Sequence, residues 1–247
     1  MRKLSSTKAI THALNSVWSY RHSATRIALP WLPVLLLCGI AEIYFAPSEV
    51  APGEIPSIPP IQIVTFLVSL IATSSMAVSW QRFILRDEAS RGLRIDRNVL
   101  RYAAFNFLLL LATLIPAVLL LAVALIEPSA AVLALPAVIL IGGVVTRLSI
   151  RFPAIALGER NFTFRDAWRA SAGNFWQCVG VFALSWALTL GGLLLLILLG
   201  NGLGQASGAL GDVAITVGVI LIQLFYAIFN ASVFTSLYGF FVERREF

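Results

Sequence analysis

Charge is what this sequence has least of. Only 12% of its 247 residues are Asp, Glu, Lys or Arg, while 59% are hydrophobic; a typical soluble domain is about 25% charged. A water-soluble chain of this length must cover its surface with polar groups, and these are too few. Part of the solvent is therefore lipid. The apolar runs recur from end to end and leave no polar block of about 50 residues, so one membrane domain without a globular appendage is expected.

Histidine and cysteine are scarce as well. His12 and His22 both fall in the N-terminal segment, where no cysteine or carboxylate cluster joins them, which argues against a metal site. A Ser-His-Asp arrangement would need the same two histidines, and no G-x-S-x-G elbow occurs. Cys38 and Cys178 sit in apolar runs at depths that differ by on the order of 10 Å, too far apart for a disulfide. No glycine loop ends in Lys-Ser or Lys-Thr. The stretch Gly200–Gly204 reads as a flexible turn between two helices. The cytoplasmic carboxylates all have arginines nearby, so solvated or ion-paired surface roles are expected of them. No catalytic residue, cofactor or metal is assigned, and no enzymatic activity is expected.

What the chain does have is length of apolar run. Six runs approach the roughly 20 residues that cross a 30 Å hydrocarbon core: 27–45, 61–80, 103–126, 130–150, 175–199 and 213–234, with the last continuing as helix toward Phe241. They lack the alternation of barrel strands, so they read as helices. The fold class is an all-α integral membrane protein. Residues 1–26 form a cytoplasmic amphipathic segment, 27–241 the six-helix domain and 242–247 a cytoplasmic tail. In the first segment Ile10, Leu14, Val17 and Trp18 recur at helical spacing, which predicts a helix lying in the membrane interface.

The basic residues are one-sided. All 18 Lys and Arg fall in the N-terminus, in 82–101, in 147–169 and at Arg244–Arg245, while the alternate loops carry only Glu49, Glu54, Glu127 and Asp212. By the positive-inside rule both termini and both arginine-rich loops face the cytoplasm of a bacterial inner membrane. Attraction to anionic lipid head groups accounts for the arginines, which makes such lipids the expected partner and gives no reason to invoke nucleic acid. The sequence leaves open whether a partner protein or a second copy binds.

A weak period of roughly 70 to 80 residues divides the chain into three units, each an arginine-bearing entry followed by two spans. This predicts three helical hairpins with interfacial cytoplasmic helices. The exit Trp80–Glu88, containing Arg82, echoes Ile150–Glu159, containing Arg151, and Tyr238–Glu243 is a fainter copy. W-x-R-F-x-L-x-x-E at Trp80–Glu88, R-F-x-A-x-A-x-G-E at Arg151–Glu159 and F-x-x-A-W-x-x-S-x-G-N at Phe164–Asn174, which spans Trp168, carry a resemblance. Together with the six spans they resemble a group of uncharacterised bacterial inner-membrane proteins, similar to the membrane-anchor domain of bacterial glycerophosphodiester phosphodiesterases. In that group catalysis belongs to a separate soluble barrel that this chain lacks. The resemblance thus implies membrane architecture and no phosphodiesterase activity. The junction residues Trp80, Arg82, Glu88, Arg151, Glu159, Trp168 and Asn174 are candidate functional positions.

Inside the runs, Glu42 and Arg147 lie within about one turn of an interface and are expected to snorkel. Gln223, Tyr226 and Asn230 share one face of the sixth helix by spacings of three and four, and read as interhelical hydrogen bonds, with a substrate cavity as the alternative. Pro116 and Gly142–Gly143 are weak candidates for helix interruptions. The expected function is a non-enzymatic scaffold or accessory factor acting through helix packing and the arginine-rich face. The alternative is a small-solute or lipid transporter whose cavity is lined by the sixth helix.

Overall fold

The fold follows from one constraint: long apolar segments must satisfy their own backbone groups, and helices do this within the segment. A computed structural model of the protein describes residues 3–45, 58–127, 129, 131–207 and 209–245. The described residues contain helices and no strand: α1 (Ser6–Ser19), α2 (Arg21–Ala28), α3 (Leu32–Phe45), α4 (Pro60–Arg86), α5 (Arg97–Ile126), α6 (Ala131–Ser149), α7 (Arg151–Leu157), α8 (Phe164–Ala170), α9 (Phe175–Ser207) and α10 (Ala209–Phe241), with a short 3₁₀ turn at Leu29–Trp31. Six are long and apolar enough to cross a membrane: Arg21–Glu42, Pro60–Arg86, Arg97–Ile126, Pro136–Leu157, Phe175–Leu198 and Ile215–Phe241.

Local sequence explains several boundaries. Asp96 accepts hydrogen bonds from the Asn98 and Val99 amides and starts α5, while Thr163 and Asp166 form a capping box on α8. Asp87 (φ 52°) and Gly158 (φ 80°) adopt the left-handed conformation that ends α4 and α7. The stretch Gly200–Gly204 is helical, not a turn, since α9 runs to Ser207 and α10 begins at Ala209. Continuing the helix keeps backbone groups paired where water is scarce, and this outweighs the low helix propensity of glycine. Glu49 and Glu54 lie outside the described residues.

Five helices close a ring in which α4 touches α5, α5 touches α6, α6 touches α9, α9 touches α10 and α10 returns to α4, with α3 seated on α4 and α10. Gly142 and Gly143 leave α6 uninterrupted and instead let α9 approach. A Cβ at Gly142 would stand 2.2 Å from the Phe182 ring, and one at Gly143 would stand 2.3 Å from Val179. Pro116 likewise lies within an unbroken α5.

The short helices gather at the arginine-bearing end. α1 packs on α9 and α10, burying Ala9, Ile10, Ala13 and Val17, whereas Trp18 is 74% exposed. The face expected to meet lipid is therefore covered by protein. Ser232 donates to the Ala13 carbonyl (3.1 Å) and Ser6 to the Gln177 carbonyl (2.8 Å), and His12 Nδ1 lies 2.9 Å from the Ser236 hydroxyl. Burial, assisted by Arg245, lowers the His12 pKa.

Candidate functional site: an interior cavity and its arginine-pinned floor

The inner faces of the ring combine small and polar side chains with aromatic ones, and such faces do not fill their own interior. They border a partly open cavity of about 370 Å³, within the range of ligand pockets, about 300–1,000 Å³. Gln223, Tyr226 and Asn230 line one wall, facing Asn106 on α5, Thr146 on α6 and Ser185 on α9. No Asp, Glu, Lys, Arg or His lines it.

The side chains of Asn106, Gln223, Tyr226 and Asn230 have no hydrogen-bond partner among the described residues, and the Ser185 hydroxyl is buried and unpaired. They do not stitch helices together as expected. They line a shared space, and only the buried Ser185 hydroxyl among them carries the cost of about 1–3 kcal/mol for a buried group without a partner. Thr146 and Ser149 instead return their hydroxyl protons to the Gly142 and Val145 carbonyls. Asn106 is visible in the sequence as a polar residue in an apolar run. Ser185 carries no signal beyond being one serine among many.

The floor is aromatic. Tyr102 accepts from Gln81 Nε2 at 3.3 Å, and the Phe152 ring lies 4.4 Å from Tyr102 and 5.2 Å from Phe234. Beneath it lie the sequence-predicted junction residues, none of which lines the cavity. Arg82 clasps Glu88 through Nε and Nη2 and donates from Nη1 to the Ala156 carbonyl (3.3 Å), an orphan acceptor in the last turn of α7. Glu88 also meets Arg94 at 3.5 Å, and Arg94 Nε donates to Asp96 at 2.8 Å, so the 87–96 loop is tied to both α7 and α5. Hydrogen bonding from Arg82, aided by its charge and that of Arg94, holds the Glu88 carboxyl below the usual range. Burial raises the Asp96 pKa, but the Val99 amide and Arg94 outweigh it and the net shift is downward.

Arg147 does not snorkel: it is 7% exposed. Nε donates to Ser171 Oγ (2.9 Å), Nη2 donates to the Trp168 carbonyl (2.7 Å), and the guanidinium carbon lies 3.6 Å from the Trp168 ring centroid. The negative end of α8 and an aromatic face thus serve where a carboxylate would be expected. Arg151 stacks on Phe164 (4.4 Å) and Phe105 (5.4 Å), while Glu159 accepts from the Tyr238 hydroxyl at 2.9 Å. The two exits that echo each other in sequence therefore make different contacts: Arg82 pairs with Glu88, and Arg151 does not pair with Glu159. Trp80 is fully buried beside Phe83. Asn174 accepts from the Leu4 amide (2.8 Å) and tethers the N-terminal segment.

The chain matches no family model, no curated protein and no solved structure. None of these comparisons supports the resemblance to phosphodiesterase membrane anchors.

Proposed function

We propose that this is a multi-pass protein of a bacterial inner membrane that binds a neutral, largely apolar small molecule in the interior of its five-helix ring. Large apolar side chains on the outer faces support the membrane reading: Leu119 is 62% exposed and Ile126 is 85% exposed, a cost avoided when the solvent is lipid. The basic residues at one end support an orientation with the short helices, the arginine loops and both termini in the cytoplasm. Packing of α3 on α4, α5 on α6 and α9 on α10 is compatible with three hairpins.

The observation that carries the functional reading is the cavity wall of Asn106, Gln223, Tyr226 and Asn230, joined by the unpaired Ser185 hydroxyl, in a space whose remaining lining is mostly apolar. Such a wall selects a ligand with one hydroxyl or amide that both donates and accepts, joined to an apolar body. The absence of lining charge disfavours ions. Lining residues Leu110 and Trp186 remain 39% and 37% exposed, which gives lipid-borne molecules an apolar approach.

The test is photolabelling of the full chain in lipid nanodiscs with a diazirine derivative of 1-octanol. Labels on α10 between 223 and 234 and on α5 between 106 and 113, competed by plain octanol and reduced about tenfold by Ala227→Phe, are the expected result (about 1.4 kcal/mol). Labels confined to the outer faces of α5 and α9, and indifferent to Ala227→Phe, would refute the reading.

A scaffold role is the second reading. It is favoured by the amount of structure invested at the arginine-bearing end, where Arg82 and Arg147 each pin a short helix. Co-purification of a stable membrane partner, lost when α8 is deleted, would support it.

A further inference from the structure

A second, smaller cavity of about 230 Å³ lies among α3, α4 and α10, away from the arginine-bearing end, and its chemistry differs from that of the first. It is lined by Cys38, Glu42, Thr65, Ser69, Thr216 and Gln223 with apolar neighbours. Glu42 is half-buried, and its carboxylate accepts a hydrogen bond from the Thr65 hydroxyl. A carboxyl group set against apolar helices at the end of a span ordinarily has a polar or charged partner. This one has no charged partner among the described residues. From Ile27 to Gln81 the sequence holds no Lys, Arg or His, nor does α10 hold one. No cationic group among the described residues lies within ion-pair distance of Glu42.

We propose that this cavity is a binding site for a primary ammonium group, with Glu42 as the counter-charge and Thr65, Ser69, Thr216 and Gln223 supplying oxygens for the ammonium protons. An ammonium presents three donors and no acceptor. A carboxylate flanked by hydroxyl and amide oxygens is its complement, and Leu35, Val219 and Ile220 offer an attached carbon chain an apolar wall. Gln223 borders both cavities, so an alkylammonium seated at Glu42 has its chain directed along α10. The ammonium has two sources, a free amine from the aqueous phase or the head group of an aminophospholipid. The proposal stands apart from occupation of the larger cavity, which contains no charge.

The experiment compares diazirine derivatives of octylammonium and octanol on the full chain in phosphatidylcholine nanodiscs at neutral pH. Expected is labelling of α3 between 35 and 42 and of α4 between 65 and 69 by the ammonium probe, at least about tenfold above the alcohol probe. Glu42→Gln removes that difference and Glu42→Asp retains part of it, while octanol labelling of α10 between 226 and 234 is unchanged in both. That last readout keeps a failure here distinct from a failure of the larger-cavity reading. Equal labelling by the two probes overturns the proposal, as does a preference that survives Glu42→Gln. Repeating the comparison with phosphatidylethanolamine in the disc separates the sources: weaker labelling assigns the site to the lipid head group, and undiminished labelling assigns it to free amines.

Discussion

Replacing Arg147 by leucine tests how the floor of the bundle is held. The substitution removes the hydrogen bonds to Ser171 Oγ and the Trp168 carbonyl and the guanidinium stacked 3.6 Å from the Trp168 ring centroid. A charge-assisted hydrogen bond contributes about 1.5–3 kcal/mol, and a desolvated cation–π contact about 2 kcal/mol. Against these stands the desolvation of the guanidinium, several kcal/mol recovered when the charge is removed. The partners are not stranded. Ser171 still donates to the Ala167 carbonyl at 2.9 Å, and the Trp168 carbonyl still lies 3.3 Å from that hydroxyl. The net loss is about 2 kcal/mol, and it falls on α8, which is too short to persist without its contacts. That energy corresponds to about a thirtyfold increase in local opening.

Hydrogen exchange of the 167 and 171 amides, which bond back to Thr163 and Ala167, should therefore accelerate about thirtyfold. Amides in the middle of α4 and α10 should change little. Arg147→Lys should fall between, because an ammonium point charge cannot span both acceptors while lying flat on the indole. Exchange of α8 that is unchanged in Arg147→Leu would refute the reasoning.

Three further outcomes are expected. Because Arg82 holds Glu88 below its ordinary pKa of 4.5, the contribution of that carboxylate to folding is present above pH 4.5 and is lost as pH falls through the depressed value. Acidification should thus speed exchange of the 87–96 loop, with the dependence abolished in Arg82→Ala. Gly142→Ala places a methyl 2.2 Å from Phe182 and should destabilise by about 1–3 kcal/mol, read as a lower unfolding temperature and restored in part by Phe182→Ala. Cysteines introduced at Ile58 and Arg91 in a background lacking Cys38 and Cys178 should react with an impermeant maleimide from opposite sides of the membrane, Ile58 from outside and Arg91 only after permeabilisation. The reverse pattern contradicts the orientation.

Much of the helical framework was legible because hydropathy and length are local properties. Six apolar runs gave six long helices, with ends displaced by a few residues where Arg21–Trp31 and Asn201–Ser207 joined them. Gln223, Tyr226 and Asn230, spaced by three and four, line the same cavity. What that face meets is a tertiary matter, since the same period fits a helix interface or a cavity. Arg147 was misread for the same reason. Its distance from the end of a run suggested an escape to water, whereas the fold brings the carbonyl end of α8 to it. α1 shows the limit most plainly, since periodicity identified Ile10 and Val17 as an apolar stripe without indicating whether lipid or α10 would cover it. The matching exits at Arg82 and Arg151 resembled each other in letters and differ in partners, because Glu159 is taken by Tyr238.

The central claim is that the ring interior is a ligand site, and the most direct measurement is an electron cryomicroscopy map of the full chain in nanodiscs made from its native lipids. The account predicts an elongated non-protein density between α5 and α10, with its polar end within hydrogen-bonding distance of Gln223, Tyr226 or Asn230. Side chains of α5, α9 and α10 collapsed onto one another, with those three residues bonded across the ring and no density between them, would contradict it.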